Sequence, residues 1–173
     1  MKMKFDRFGL CLGPSRLAQF WRDESGVALV EFAVTLPMML VLFAVIVEGS
    51  RLMLSFQSAI AGVRDATRYL SRVVAVDICR TGGSISGFTS QLQTIVSQSV
   101  DGEAVLPPGV AVNSVTASYV CVAGTYRVSP APVVTVTAQV TITYPFSGLF
   151  ALVGGNLPTT ATSVTDSSRV FGS

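Results

Sequence analysis

The hydrophobic pattern of this chain changes character three times. Charged and polar residues are scattered through the first 26 positions and end in Trp21-Arg22-Asp23-Glu24-Ser25-Gly26. From Val27 to Val47 almost every position is apolar, with Glu31 as the one ionisable side chain. A bilayer takes roughly 20 residues of helix, so this run is long enough to cross one. Pro37 lies about one-third of the way along it and lacks the amide that would bond back to Ala33. A kink or local loosening is expected there, which membrane helices tolerate.

The helix is expected to continue beyond the apolar run. Leu52, Phe56, Ala59/Ile60, Val63, Ala66/Thr67, Leu70 and Val73/Val74 recur at three- and four-residue steps, and arginines and serines fill the other face. That is the period of an amphipathic helix. Glu48–Arg51 and Asp65–Arg68 fall at favourable helical spacing, and Arg64–Arg68 at an unfavourable one. The whole reads as one helix of roughly 48 residues, about 70 Å at 1.5 Å per residue. Thr81-Gly82-Gly83-Ser84 is expected to break it, and Phe88 to Val100 to form a short second helix with Ser84 or Ser86 near its cap.

Beyond the turns Asp101-Gly102 and Pro107-Pro108-Gly109 the period becomes two. Segments 110–122 and 133–144 are rich in Val, Thr, Ile and Tyr, the second placing Val134, Val136, Ala138, Val140, Ile142 and Tyr144 on one face and threonines on the other. Gly124, Pro130 and Pro132 separate two strands expected to be antiparallel neighbours. Pro145-Phe146-Ser147-Gly148 ends the second, residues 149–157 read as an apolar loop, and 159–164 as a final strand. The predicted fold class is α+β: a long membrane-spanning helix continues into an amphipathic one and packs on a small antiparallel head. The predicted divisions are a leader at 1–26, the helix at 27–76 and the head at 77–173. Leu17, Phe20 and Trp21 of the leader are placed on the membrane surface.

Composition narrows the class. Half the residues are apolar and only 13% charged, which excludes a disordered chain. A net charge of +2, with no basic stretch interleaved with aromatics, argues against nucleic acid as a partner. Histidine is absent, removing the usual neutral-pH general base and the Ser-His-Asp and Cys-His arrangements. Gly82-Gly83 and Gly154-Gly155-Asn156 lack the residues of a phosphate-binding loop and read as turns, while Asp101 and Glu103 read as a solvated loop. The chain is not expected to be an enzyme or to hold a cofactor. Without histidine or C-x-x-C spacing, no metal site is expected. Cys11 falls in the leader. In an oxidising compartment Cys79 and Cys121 can close one loop, worth about 3–4 kcal/mol, or remain two buried thiols; the sequence leaves both open.

The chemistry carried is that of a substrate. Glycine at position 26 offers no side chain to obstruct a protease, and the apolar run fixes the depth of the Gly26–Val27 bond. Cleavage there would give Val27 an ammonium group four residues from Glu31. An unpaired carboxylate in lipid is costly, so Glu31 would pair with that amine or with a neighbouring subunit's, setting the stagger of a helical stack. The alternative is a shallow glutamate snorkelling to the headgroups, at about 7 Å depth.

The stretch Ser25-Gly26-Val27-Ala28-Leu29-Val30-Glu31-Phe32-Ala33-Val34-Thr35-Leu36-Pro37 resembles the opening of TadE-like pseudopilins of the tight-adherence (Flp pilus) system. Glu48-Gly49-Ser50-Arg51-Leu52 and 61–69 are similar to its post-membrane helix, so the likeness covers about residues 24–72. It implies a prepilin peptidase cutting between Gly26 and Val27, and Glu31 with Phe32 as the assembly charge and its aromatic neighbour. It also implies a minor pseudopilin in the bacterial inner membrane, its leader cytoplasmic and its head periplasmic. The implied partners are that peptidase, other pilins or pseudopilins, the pilus assembly platform and the lipid bilayer. Charge alone reads orientation weakly, since five Lys/Arg precede the span while Arg51, Arg64, Arg68 and Arg72 follow it. Valine at the new N-terminus departs from the phenylalanine of major type IV pilins, and the head is larger than major Flp pilins carry. The competing reading is an uncleaved, signal-anchored binding or adhesion module.

Overall fold

The computed structural model describes residues 25–151, 154–155 and 158–172. The predicted leader, with Cys11 and the membrane-surface residues Leu17, Phe20 and Trp21, lies outside the described residues apart from Ser25 and Gly26. Two compact units divide the chain, Met1–Leu42 and Phe43–Ser173.

Helix α1, Ser25–Val73, belongs to both units and continues through Pro37. In the first unit it presents an almost wholly exposed apolar surface, with Phe32 62% and Met38 73% exposed. A core helix of similar hydropathy would bury those side chains; here they stand uncovered among the described residues, on a helix long and apolar enough to cross a membrane.

In the second unit α1 becomes two-faced. Ala59, Val63, Ala66 and Leu70, at helical spacing, are buried, as the amphipathic period requires. Short α2, Ile78–Thr81, follows; Gly82 closes it in the left-handed conformation (φ 67°), its N–H bonded to the Ile78 carbonyl. A 3-10 turn at Ser86–Phe88 leads into α3, Thr89–Ser97. Strands β1 (Val110–Val122), β2 (Ala131–Thr143) and β3 (Thr159–Arg169) form one antiparallel sheet in the order β1-β2-β3. A one-turn helix α4, Ser147–Ala151, connects the last two. Val134, Val136, Ala138, Val140 and Ile142 of β2, Val115 of β1 and Val164 of β3 join the α1 stripe with Leu92 and Val96 of α3 in a single core. The opposite sheet face carries hydroxyl pairs: Thr135 with Ser167 at 2.9 Å and Thr137 with Thr165 at 3.0 Å.

The α+β class, with one long apolar helix before a small antiparallel sheet, is as the pattern predicts. Five details differ. First, α1 stops at Val73, before the glycines, where the Phe171 amide donates to the Ser71 carbonyl; the C-terminal segment thus satisfies a carbonyl that a further turn would have used. Second, α3 ends at Ser97: the chain turns back through a Gln98–Ala104 bridge and leaves Val100 fully exposed. Third, Pro132 lies inside β2, where its carbonyl accepts from Val170, a position near a strand start that needs no amide. Fourth, β3 runs five residues past 164, because β2 offers partners along its whole length, from Thr143↔Thr159 to Val133↔Arg169; pairing outweighs the weak strand preference of Ser and Asp. Fifth, the loop from 149 opens inside α4.

β1 contains a bulge between Val112 and Ser114. The extra residue, Asn113, donates to Thr141 Oγ1 at 2.7 Å. Because side chains alternate along a strand, one inserted residue reverses parity. Val110 and Val112 before the bulge therefore share the core face with Val115, Ala117 and Tyr119 after it.

Candidate functional site

The predicted junction lies in the first turn of α1. Among the described residues, a Cβ added at Gly26 would meet nothing within 4 Å, so no packing among them requires glycine there. Glycine also weakens a helix relative to alanine. Val27 and Phe32 are exposed, as is Glu31. Among the described residues, no cation lies within 4 Å of the Glu31 carboxylate. Val27 and Glu31 are four residues apart on continuous helix, hence on one face, separated by about 6 Å of rise. The Thr35 hydroxyl donates back to the Phe32 carbonyl at 3.2 Å. Pro37 leaves the Ala33 carbonyl without its usual donor. Among the described residues, this stretch presents one carboxylate on an otherwise apolar helix surface.

Cys79 and Cys121 are joined by a disulfide with 5.8 Å between their Cα atoms. The bond ties α2 to the far end of β1, where Tyr119 also donates to the Gly83 carbonyl at 3.0 Å.

A second constellation went unread in the sequence. Glu48 and Arg51 do not pair with each other. The Glu48 carboxylate is buried and accepts the Phe146 amide at 2.7 Å, while the Arg51 guanidinium donates to the Pro108 carbonyl at 2.8 Å. The two loops so gripped are neighbours, since the Thr143 amide donates to the Gly109 carbonyl at 2.8 Å. One turn of α1 thus holds both the entry of β1 and the exit of β2. Bonds from charged groups to backbone are about twice as strong as neutral ones, and a buried carboxylate with a partner avoids its desolvation penalty. The visible signal was Glu48 itself, the first ionisable side chain after sixteen positions without one. Its partner is 98 residues away, beyond any local rule. The expected Asp65–Arg68 pair is present at 3.5 Å, exposed, and contributes little.

Together these features define a class: a protein with one N-terminal helix long and apolar enough to cross a membrane, and a helix-on-sheet head clamped where the apolar run ends. Within that class, residues 26–68 match the family model described as TadE-like protein, so the chain carries a TadE-like segment over about a quarter of its length. The match begins at Gly26 and ends within the buried stripe of α1. No curated protein and no solved structure matches the chain.

Proposed function

We propose that this chain is a minor pseudopilin of a tight-adherence (Flp-type) pilus, cut after Gly26 by a prepilin peptidase. The observation that carries the reading is the coincidence of three things at one residue. The TadE-like match starts at Gly26, the apolar run of the sequence begins directly after it at Val27, and no contact among the described residues calls for glycine. After cleavage the Val27 ammonium and the Glu31 carboxylate share a helix face in a medium where neither tolerates isolation. Either pairs within the chain or across to a neighbouring helix, which would set the axial stagger between subunits. The bonded pair Cys79–Cys121 supports a head in an oxidising compartment, hence a periplasmic head and a cytoplasmic leader at the bacterial inner membrane. The role is structural: partners are the peptidase, other pilins or pseudopilins, the assembly platform and the bilayer.

The N-terminal sequence of the protein recovered from its native membrane tests this. A start at Val27 is expected, and Gly26→Leu should leave the longer precursor. A start at Met1 with the peptidase active would leave an uncleaved, signal-anchored binding module in its place.

A further inference from the structure

Where α1 leaves its apolar run, the chain after β2 returns to it. The turn α4 lies against α1 here: Phe150 lines an apolar groove of about 200 Å³ with Val45, Glu48, Gly49, Leu52 and Tyr144. From Pro145 to Thr165 the sequence has no Asp, Glu, Lys or Arg. The two ionisable groups of α1 at this level are engaged, Glu48 with the Phe146 amide and Arg51 with the Pro108 carbonyl. Beside them, beyond the apolar run, Met53 is 64% and Leu54 56% exposed. A water-facing end of a small domain would not ordinarily combine exposed apolar side chains with an uncharged loop.

The dimensions identify what meets this end. The interfacial layer of a bilayer, between hydrocarbon and water, is about 5–7 Å thick on each side. With the apolar run ending at Val47, Glu48 to Leu52 rise through about 7 Å, so a turn packed against residues 45–52 lies in that layer. The side chains present suit it: Tyr144 is an aromatic of the kind enriched at headgroup level, Phe146 and Phe150 supply apolar surface beside it, and Arg51 keeps donors beyond the one bonded to Pro108.

We propose that Phe146, with Leu149 and Phe150 of α4, forms a second membrane contact. It is seated in the headgroup layer of the same bilayer that α1 crosses. The bilayer is the occupant because the surface is continuous with α1's exposed apolar face: Val45, which touches the turn, is itself 52% exposed within the run. Glu48 is then a positioning residue that holds the turn at interfacial depth. The inference rests on α1 spanning the membrane and is independent of cleavage.

The test uses the full chain in phosphatidylcholine vesicles whose lipids are brominated near the headgroup end of the acyl chains. Trp21 is replaced by phenylalanine so that one tryptophan reports at a time. Phe150→Trp, or Leu149→Trp should the first disturb packing, is expected to emit at shorter wavelength and lose most of its emission to the bromines. Val100→Trp, on the exposed turn beyond α3, should keep its emission. Leu42→Trp reports separately on the span and should be quenched by lipids brominated deep in the chains. Quenching at 42 with none at 149 or 150 overturns the second contact. A blue shift there that grows with protein-to-lipid ratio but ignores bromine would assign the turn to another copy of the chain. Loss of quenching at 42 would overturn the span and this inference with it.

Discussion

Gly62 offers the sharpest quantitative test of the head's packing. It lies in mid-helix, where glycine is about 0.5–1 kcal/mol worse than alanine, so Gly62→Ala would stabilise a free helix. Here an added Cβ would stand 2.8 Å from the Val96 carbonyl oxygen and 3.2 Å from its Cα. Both are backbone atoms of α3, and ordinary contact needs a retreat of about 0.6 Å. The α3 backbone cannot make that retreat alone, because Leu92 and Val96 are completely buried in the core. Overpacking of this kind costs about 1–3 kcal/mol. Set against the helix gain, the net for alanine is destabilisation of about 1 kcal/mol. Gly62→Val adds two methyl groups and β-branching and should exceed about 2 kcal/mol. With a urea m-value of about 2 kcal/mol/M, alanine should lower the midpoint by about 0.5 M. Urea unfolding of the full chain in detergent micelles, followed by tyrosine near-ultraviolet dichroism, reads this directly. Gly49, where an added Cβ meets nothing within 4 Å, is the reference: Gly49→Ala should match or exceed the parent. Two stable variants at position 62 would refute the close approach of α3 to α1.

Glu48→Ala strips the Phe146 amide of its acceptor and should destabilise the head by about 1–3 kcal/mol, with faster hydrogen exchange at that amide. Glu48→Gln keeps an acceptor and should lose less; equal losses would show that the bond is not what matters. Replacing Cys79 and Cys121 by serine releases a loop of 42 residues, so the urea midpoint should fall by the equivalent of about 4 kcal/mol on chain-entropy arithmetic. A midpoint unmoved by the double substitution would count against that loop closure. Glu31→Ala should be processed normally yet impair pilus assembly, scored by electron microscopy of surface fibres; full piliation would exclude the pairing role.

Local pattern carried far in this chain. The course of α1 from the apolar run into its two-faced half and the bounds of β1 follow from where apolar residues recur, and the buried face of β2 is the face its alternation marks. Even the bulge left a trace, since the apolar parity of β1 shifts from Val110 and Val112 to Val115, Ala117 and Tyr119. Gly26 stands out as a candidate in the sequence because a processing site is read on a linear chain, from residue type and spacing alone. The clamp was not. Glu48 and Arg51 stand at a spacing that local rules assign to an ion pair, and nothing nearby says that each has a better partner.

By itself the sequence determined the membrane-length helix, its amphipathic continuation, the strands β1 and β2 and the cleavage candidate, because each depends on the period or the order of neighbouring residues. Tertiary structure alone decided that Glu48 grips the exit of β2 and Arg51 the entry of β1, that β3 extends to Arg169, and that Gly62 admits α3. Those outcomes depend on which distant backbone groups arrive beside a given side chain. That is set by the energy of closing one shared core, which no window of sequence contains.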